Sequence, residues 1–429
     1  MRTRFRVIVG LVLALSLIAA ACGDDEGGDT TAATTTQATT TTAATTTTAA
    51  TTTTTEAATP LLIWADDTRE PVLTQVAAEF EAATGIPVNV ELVGFGDQRN
   101  NAIQQNPTGE GPDIFIGAHD WIGELTANGV IEPVDVGSRG GEFFDTAVSA
   151  FSLDGQLWGL PYAIEAIALY YNADLVPTPP TTFEELITIC DDLGDSVEQC
   201  IGFPSGDAYH HYAFFGSNGG YLFGFEDGVY DAADRGIDSE GAIEGFTFLD
   251  TLVKDGYANP DVDYGAMAAL FTGGQAAFMW TGPWELPNVQ DSGINYGVAK
   301  LPAINGDTAV PFVGVQGFFV NSFSEQKALA QTFLLDYVAT EDVMVQLFEL
   351  GQRAPAHIAS FDKVASDPDV QAFGASAADG QPMPSISEMS AVWGNLGDAV
   401  AAIYNQTADP TSALQTAAEA VTAAIEGSG

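Results

Sequence analysis

From Asp24 to Thr59 the chain holds no aromatic residue and no aliphatic side chain larger than alanine. It is acidic for a few residues and then almost wholly threonine and alanine. A segment that cannot bury apolar surface cannot offset the entropy lost on ordering, so the composition predicts a disordered stretch. What can fold lies in residues 60–429. That is more chain than one hydrophobic core usually serves, which predicts two domains or lobes. At ~3.3 Å per residue the tract reaches roughly 120 Å when fully extended, and far less as a coil. It reads as a tether that holds a folded body off a surface.

The residues before the tether name that surface. Arg2, Arg4 and Arg6 precede an uncharged run of 15 residues, Val7 to Ala21. A bilayer span takes ~20 apolar residues, so the run is short for one. It matches the apolar core of a secretory signal that ends in small residues. Ile18-Ala19-Ala20-Ala21-Cys22-Gly23 resembles the lipobox of bacterial lipoproteins. The resemblance implies a lipoprotein signal at 1–21, Cys22 as the lipid-bearing first mature residue, and a tether at 22–59. A buried helix is the alternative, and Gly23-Asp24-Asp25-Glu26 ends the apolar run too abruptly for it. The expected location is the outer face of the cytoplasmic membrane, through the lipid.

Twelve Lys and Arg stand against 58 Asp and Glu, and three of the twelve belong to the leader. So acidic a body does not bind nucleic acid or an anionic membrane through its surface, and its ligand is expected to be neutral or cationic. Cys190 and Cys200 are the remaining cysteines. No second cysteine pair or nearby histidine supports zinc, and in an exported protein the pair is expected to form a disulfide, a local staple.

The body begins with a strand, Leu61 to Trp64. Glu70 to Thr84 places Val72, Leu73, Val76, Ala77 and Phe80 on one helical face before Gly85, and Ile86, Val88, Val90 and Leu92 alternate as a strand. Strand, helix and strand in this span make a βαβ unit and predict a parallel sheet. A helix near Asp97 to Gln105 leads to a buried strand at Asp113 to Gly117. That strand ends at Ala118-His119-Asp120-Trp121, and open α/β sheets bind ligands at such carboxyl ends. Further helices are predicted at Gly241 to Lys254, Ala328 to Tyr337 and Ser412 to Glu426.

Eight segments now point one way. Leu62-Ile63-Trp64, Phe80-Glu81-Ala82-Ala83-Thr84-Gly85-Ile86, Gly111-Pro112-Asp113-Ile114 and Gly117-Ala118-His119-Asp120 resemble the maltose/maltodextrin-binding proteins of ABC importers. So do Pro161-Tyr162-Ala163-Ile164-Glu165-Ala166, Gly282-Pro283-Trp284, Pro311-Phe312-Val313-Gly314-Val315 and Met389-Ser390-Ala391-Val392-Trp393. They run in family order through the whole body. The resemblance implies the two-lobed periplasmic-binding-protein α/β fold (type II), with the ligand in the cleft between lobes. The N-terminal lobe is expected to comprise 60–165 plus 316–365, the C-terminal lobe 166–315 plus 366–429. It also implies a monomer that closes around a neutral oligosaccharide by hinge motion and delivers it to the transmembrane subunits of an ABC permease. No enzymatic step and no cofactor are implied.

A sugar presents hydroxyls and apolar C–H faces, so its site needs carboxylates, amides and flat rings. By position in the family motifs, the resemblance assigns carboxylates to Asp120, Glu165 and Asp207 and aromatic surfaces to Tyr209, Trp284 and Trp393. It adds Tyr264 and Met383 at the cleft edge, and Arg69 as a donor of forked hydrogen bonds. Trp64, Trp158 and Trp280 read as core, and His119 as a structural hydrogen-bonder. His210 and His211 have no acidic or cysteine partner at metal-ligand spacing. Asp120 has a second reading, as the cap of the helix that follows.

Four positions depart from the familiar pattern. Gly117 and Trp121 flank Ala-His-Asp where a tryptophan and an arginine are usual, and Trp121 is expected to replace the lost stacking surface. Asp207 is one methylene shorter than the usual Glu, and Gly397 stands where an Arg often lies. The expected ligand is therefore an α-linked glucoside, with maltose, longer maltodextrins and trehalose all open. Rival readings are another oligosaccharide, a polyol or a glycerophosphodiester on the same fold, or an exported glycosidase using paired carboxylates. The acidic charge and a single cleft arginine speak against a phosphate ligand, and no hydrolase or phosphate-loop signature is present.

Overall fold

The computed structural model describes residues 59–226 and 229–427. The expected signal, the expected lipid-bearing Cys22 and all but the last residue of the expected tether lie outside the described residues.

Two sheets organise the body. In the larger, strands run in the order Ala354–Pro355, Leu160–Glu165, Phe312–Asn321, Ile114–Ala118, Leu61–Ala65 and Val88–Leu92. Leu61–Ala65 is parallel to both Val88–Leu92 and Ile114–Ala118, the βαβ unit read from the sequence. Phe312–Asn321 is antiparallel to its neighbours on either side, so the sheet is mixed. The smaller sheet has the order Tyr296–Ala299, Ala168–Asn172, Ala276–Thr281 and Gln199–Gly202. Helices cover both, and the fold is the two-lobed α/β class expected from the sequence. After Glu165 the chain leaves the larger sheet for the smaller, and it returns at Phe312 opposite the point of departure, Gly314 pairing with Glu165.

The first helix is Glu70–Thr84, and its buried residues are Val72, Leu73, Val76, Ala77 and Phe80, the predicted face. Trp64 and Trp280 are core, while Trp158 is half-buried and ties its indole N–H to Leu153 O. The helix expected over Ala328 to Tyr337 is not one α-helix. Lys327–Thr332 is α-helical, and Phe333–Val338 winds as a π-helix. Phe333 and Tyr337 both meet Phe80, with ring centroids 5.4 and 4.9 Å away.

Cys190 and Cys200 are bonded, with Cα atoms 5.5 Å apart. The bridge ties the helix Phe183–Leu193 to the strand Gln199–Gly202. No helix among the described residues is long and apolar enough to cross a membrane.

Candidate ligand-binding site

A cavity of about 900 Å³ is walled on one side by segments of the larger sheet and on the other by segments following the smaller. That is within the ~300–1,000 Å³ usual for small-molecule sites. Asp120, Trp121, Glu165, Asp207, Tyr209, Tyr264, Trp284, Met383 and Trp393 all line it. Arg69 does not. Its guanidinium is spent on Asp66, Tyr162 and Gln316, so it braces the wall from behind instead of offering a fork to the cavity.

The strand Ile114–Ala118 delivers Asp120 and Trp121 on a single 3-10 turn at its carboxyl end. Asp120 caps no helix; its Oδ2 accepts from the Trp393 indole N–H at 3.1 Å, joining the two walls. Burial lifts its carboxyl to about 6, against the opposing pull of Arg99 and of the Trp393 bond. The capping role falls to Asp207, whose Oδ1 accepts from the His210 backbone N–H at 3.0 Å at the start of Ala208–Ser217. Burial pushes that carboxyl up, but the His210 contacts outweigh it and hold Asp207 well below the usual range.

Trp121 lies where the Gly117 side chain would be: a Cβ on Gly117 would stand 2.4 Å from the indole. The ring packs on Phe95 at 4.9 Å and under the Arg99 guanidinium at 5.8 Å. Gly117 and Trp121 are thus one substitution in space, the glycine vacating the volume its neighbour's ring fills. Gly397 is constrained as well, since a Cβ there would lie 3.2 Å from Gly206 O.

The aromatic wall is held by its own hydrogen bonds. Trp284 donates from Nε1 to Tyr264 Oη at 2.7 Å, and Tyr264 donates to Glu285 Oε2 at 2.7 Å. Tyr209 packs 5.9 Å from Trp284, and its hydroxyl is buried with no hydrogen-bond partner among the described residues. A buried donor left unpaired is costly, and a ligand oxygen would relieve it.

Both oxygens of Glu165 accept a hydrogen bond. Its Oε1 accepts from Gln316 Nε2 at 2.7 Å and its Oε2 from Arg353 Nε at 2.6 Å. Arg353 lines the cavity and was missed by motif reading, as were Asp66, Arg99, Glu285 and Gln316. The arginine has one weak signal in sequence, as one of the few cations in a chain with 58 acidic residues. The expectation of a single cleft arginine is therefore wrong: Arg99 and Arg353 line the cavity and Arg69 stands just behind. Each is matched by a carboxylate, Arg69 by Asp66, Arg99 by Glu124 and Arg353 by Glu165, so the cavity offers no unpaired cation to a phosphate.

His210 lines the cavity, and its Nδ1 stands 3.1 Å from Asp207 Oδ1, an acidic partner not expected from the sequence, whereas His119 and His211 are structural. Val315 N–H donates to His119 Nδ1 at 3.1 Å, which puts the ring proton on Nε2, donating to Met383 O at 2.9 Å. Burial, outweighing those partners, lowers His119 to about 4. His211 donates from Nδ1 to Asp207 O and accepts from the Tyr404 hydroxyl, both at 2.7 Å. No group of three metal-ligating side chains is found among the described residues.

Flat rings, fixed carboxylates and amides around one open cavity define a binding protein for a small polar molecule with apolar faces. Comparison with known proteins gives the family. Residues 75–375 match the bacterial extracellular solute-binding proteins, and the chain belongs to that family. It is 30% identical to a galactooligosaccharide-binding protein of Bacillus subtilis over 376 residues, 84% of this chain and 88% of that one. It is 32% identical to a maltotriose-binding protein of Pyrococcus abyssi over 306 residues, 68% and 66% of the two chains. It is 27% identical to a maltooligosaccharide ABC transporter solute-binding lipoprotein of Streptococcus pneumoniae over 346 residues, 78% and 81%. These are binding proteins, and this chain is a binding protein rather than an enzyme.

Proposed function

We propose that this protein captures a neutral α-glucoside, maltose or a maltodextrin with trehalose within its range, for an ABC importer. The observation that carries the reading is the cavity itself. Trp284, Trp393, Tyr209, Tyr264 and Trp121 line it together with Asp120, Glu165 and Asp207, and it holds no unpaired cation. Rings of this kind stack on pyranose C–H faces, and the polar groups match the hydroxyl rim. The lobes are 60–165 plus 316–365 and 166–315 plus 366–429; they close on the sugar by a hinge at the crossings near Glu165 and Val315. The closed form is delivered to the permease by a monomer that a lipid on Cys22 keeps at the outer face of the cytoplasmic membrane. The name of the streptococcal relative supports the anchor.

A second reading is a galactooligosaccharide, favoured by the relative that aligns over 84% of this chain. Quenching of tryptophan fluorescence by maltose, maltotriose, maltotetraose, trehalose and a galactooligosaccharide separates the two. Saturable quenching by an α-glucoside alone is expected. Saturation by the galactooligosaccharide alone would replace the first reading with the second.

A further inference from the structure

Arg353 follows the helix Glu341–Gly351, and Gln352 between them sits at φ 57°, a left-handed conformation unusual for a non-glycine residue. Next to it, Ala354 and Pro355 pair with Ile164 and Ala163, so the backbone of Arg353 is fixed at the edge of the larger sheet beside Glu165. The side chain is 10% exposed, and its Nε–H donates to Glu165 Oε2 at 2.6 Å. Its Nη1 reaches Gly351 O at 3.3 Å, and its Cζ lies over the ring of Trp284, 5.7 Å from the centroid. Trp284 follows a strand of the smaller sheet, so the contact spans the two walls of the cavity. Nη2 has no hydrogen bond among the described residues, and the residue lines the cavity.

Both oxygens of Glu165 already accept, from Gln316 and from Arg353. A ligand in this corner meets a guanidinium before it meets a free carboxylate. We propose that Arg353 is a ligand-contacting specificity residue whose Nη2 donates to a hydroxyl of the glucosyl unit stacked on Trp284, while Glu165 positions it. The inference rests on the α-glucoside reading of the cavity and deepens it. A pyranose on the indole carries its hydroxyls around its own rim, and the guanidinium, with Cζ 5.7 Å from the indole centroid, borders the same ring. The ion pair is already neutral, so a hydroxyl suits it, whereas a sugar acid or sugar phosphate brings its charge beside Glu165. A site built to bond one hydroxyl also rejects the analogue that lacks it.

The test is calorimetric titration of the unmodified protein, Arg353→Gln and Arg353→Lys with maltose and its monodeoxy derivatives. Arg353→Gln is expected to weaken maltose binding about thirtyfold, the loss of a charged donor. One monodeoxy maltose should lose a similar factor with the unmodified protein and nothing further with Arg353→Gln. A purely supporting role would not produce that coupling. The proposal is overturned if Arg353→Gln, folded by circular dichroism, binds maltose within threefold of the unmodified protein. It is also overturned if every deoxy sugar loses the same factor in both proteins. Should Arg353→Gln fail to fold, Arg353→Lys keeps a charge beside Glu165 and reads the same coupling. No α-glucoside binding by the unmodified protein would refute the α-glucoside reading itself, and this proposal with it.

Discussion

An indole whose N–H is tied down and whose ring borders a cavity is well suited to a sugar, apolar on its faces and polar at its rim. Trp284 and Trp393 have this form, held by Tyr264 and Asp120. Trp284→Ala or Trp393→Ala is expected to weaken α-glucoside binding by ~2 kcal/mol, near thirtyfold, read by calorimetry. Unchanged affinity in both variants would show that the ligand lies elsewhere. Asp120 adds a pH dependence. Its carboxyl titrates near 6 because it is buried, and the ionised form is the better acceptor for a sugar hydroxyl. Affinity should fall as the pH drops through 6, by about tenfold at pH 5 if only the ionised form binds. A flat profile from pH 7 to 5, or the same slope in Asp120→Asn, would contradict this role. The residues legible in sequence were those inside contiguous motifs, such as Gly282-Pro283-Trp284, and those placed by position in the family resemblance, Asp207, Tyr209, Tyr264 and Met383. Arg353, Gln316 and Glu285 were not, because the cavity collects them from separate segments and no local pattern marks them. Asp207 caps a helix that none of the family-like segments contains.

Among the elements, the helix Phe183–Leu193 and the strand Gln199–Gly202 are joined by the Cys190–Cys200 bridge, far in function from the cavity, which neither cysteine lines. Replacing both cysteines with serine is expected to cost about 2–3 kcal/mol of stability, the scale of a short closed loop, while sugar affinity stays unchanged. Denaturant titration and calorimetry on one sample check both halves, and a lost affinity would place the staple inside the binding machinery. The turn after Ile114–Ala118 is more sensitive. Gly117→Ala drives a methyl against the Trp121 ring and so should shift that ring and weaken binding, whereas changes at exposed positions of Glu70–Thr84 should not. Elements with strong local periodicity were readable to the residue, Glu70–Thr84 above all. The π-wound Phe333–Val338 was not, since its apolar spacing reads as that of an ordinary α-helix. The strand Phe312–Asn321 was hidden too. It reads as an apolar run, and only its partners show that it carries the chain back beside Glu165.

For the whole molecule, two buried neutral histidines set an acid limit. His119 and His211 both titrate near 4 because burial disfavours their charged forms, while an unfolded histidine takes up its proton near pH ~6.5. Below that pH the unfolded chain binds more protons, so each histidine withdraws stability as the pH falls from ~6.5 toward 4, up to about 3 kcal/mol. Unfolding free energies at pH 7 and pH 5 should differ accordingly, and His211→Gln should flatten the slope. At the N-terminus, Cys22→Ser is expected to leave sugar binding intact and release the protein into the medium. Retention at the membrane would refute the lipid anchor. Two lobes are expected from chain length, and the proposal that each is discontinuous comes only from the family resemblance, because no linker marks the crossings. Calorimetric titration of the purified protein with maltotriose decides whether this cavity holds a neutral α-glucoside. A saturable isotherm with a Kd in the micromolar range or tighter is expected. A folded protein that gives no heat of binding would contradict the account.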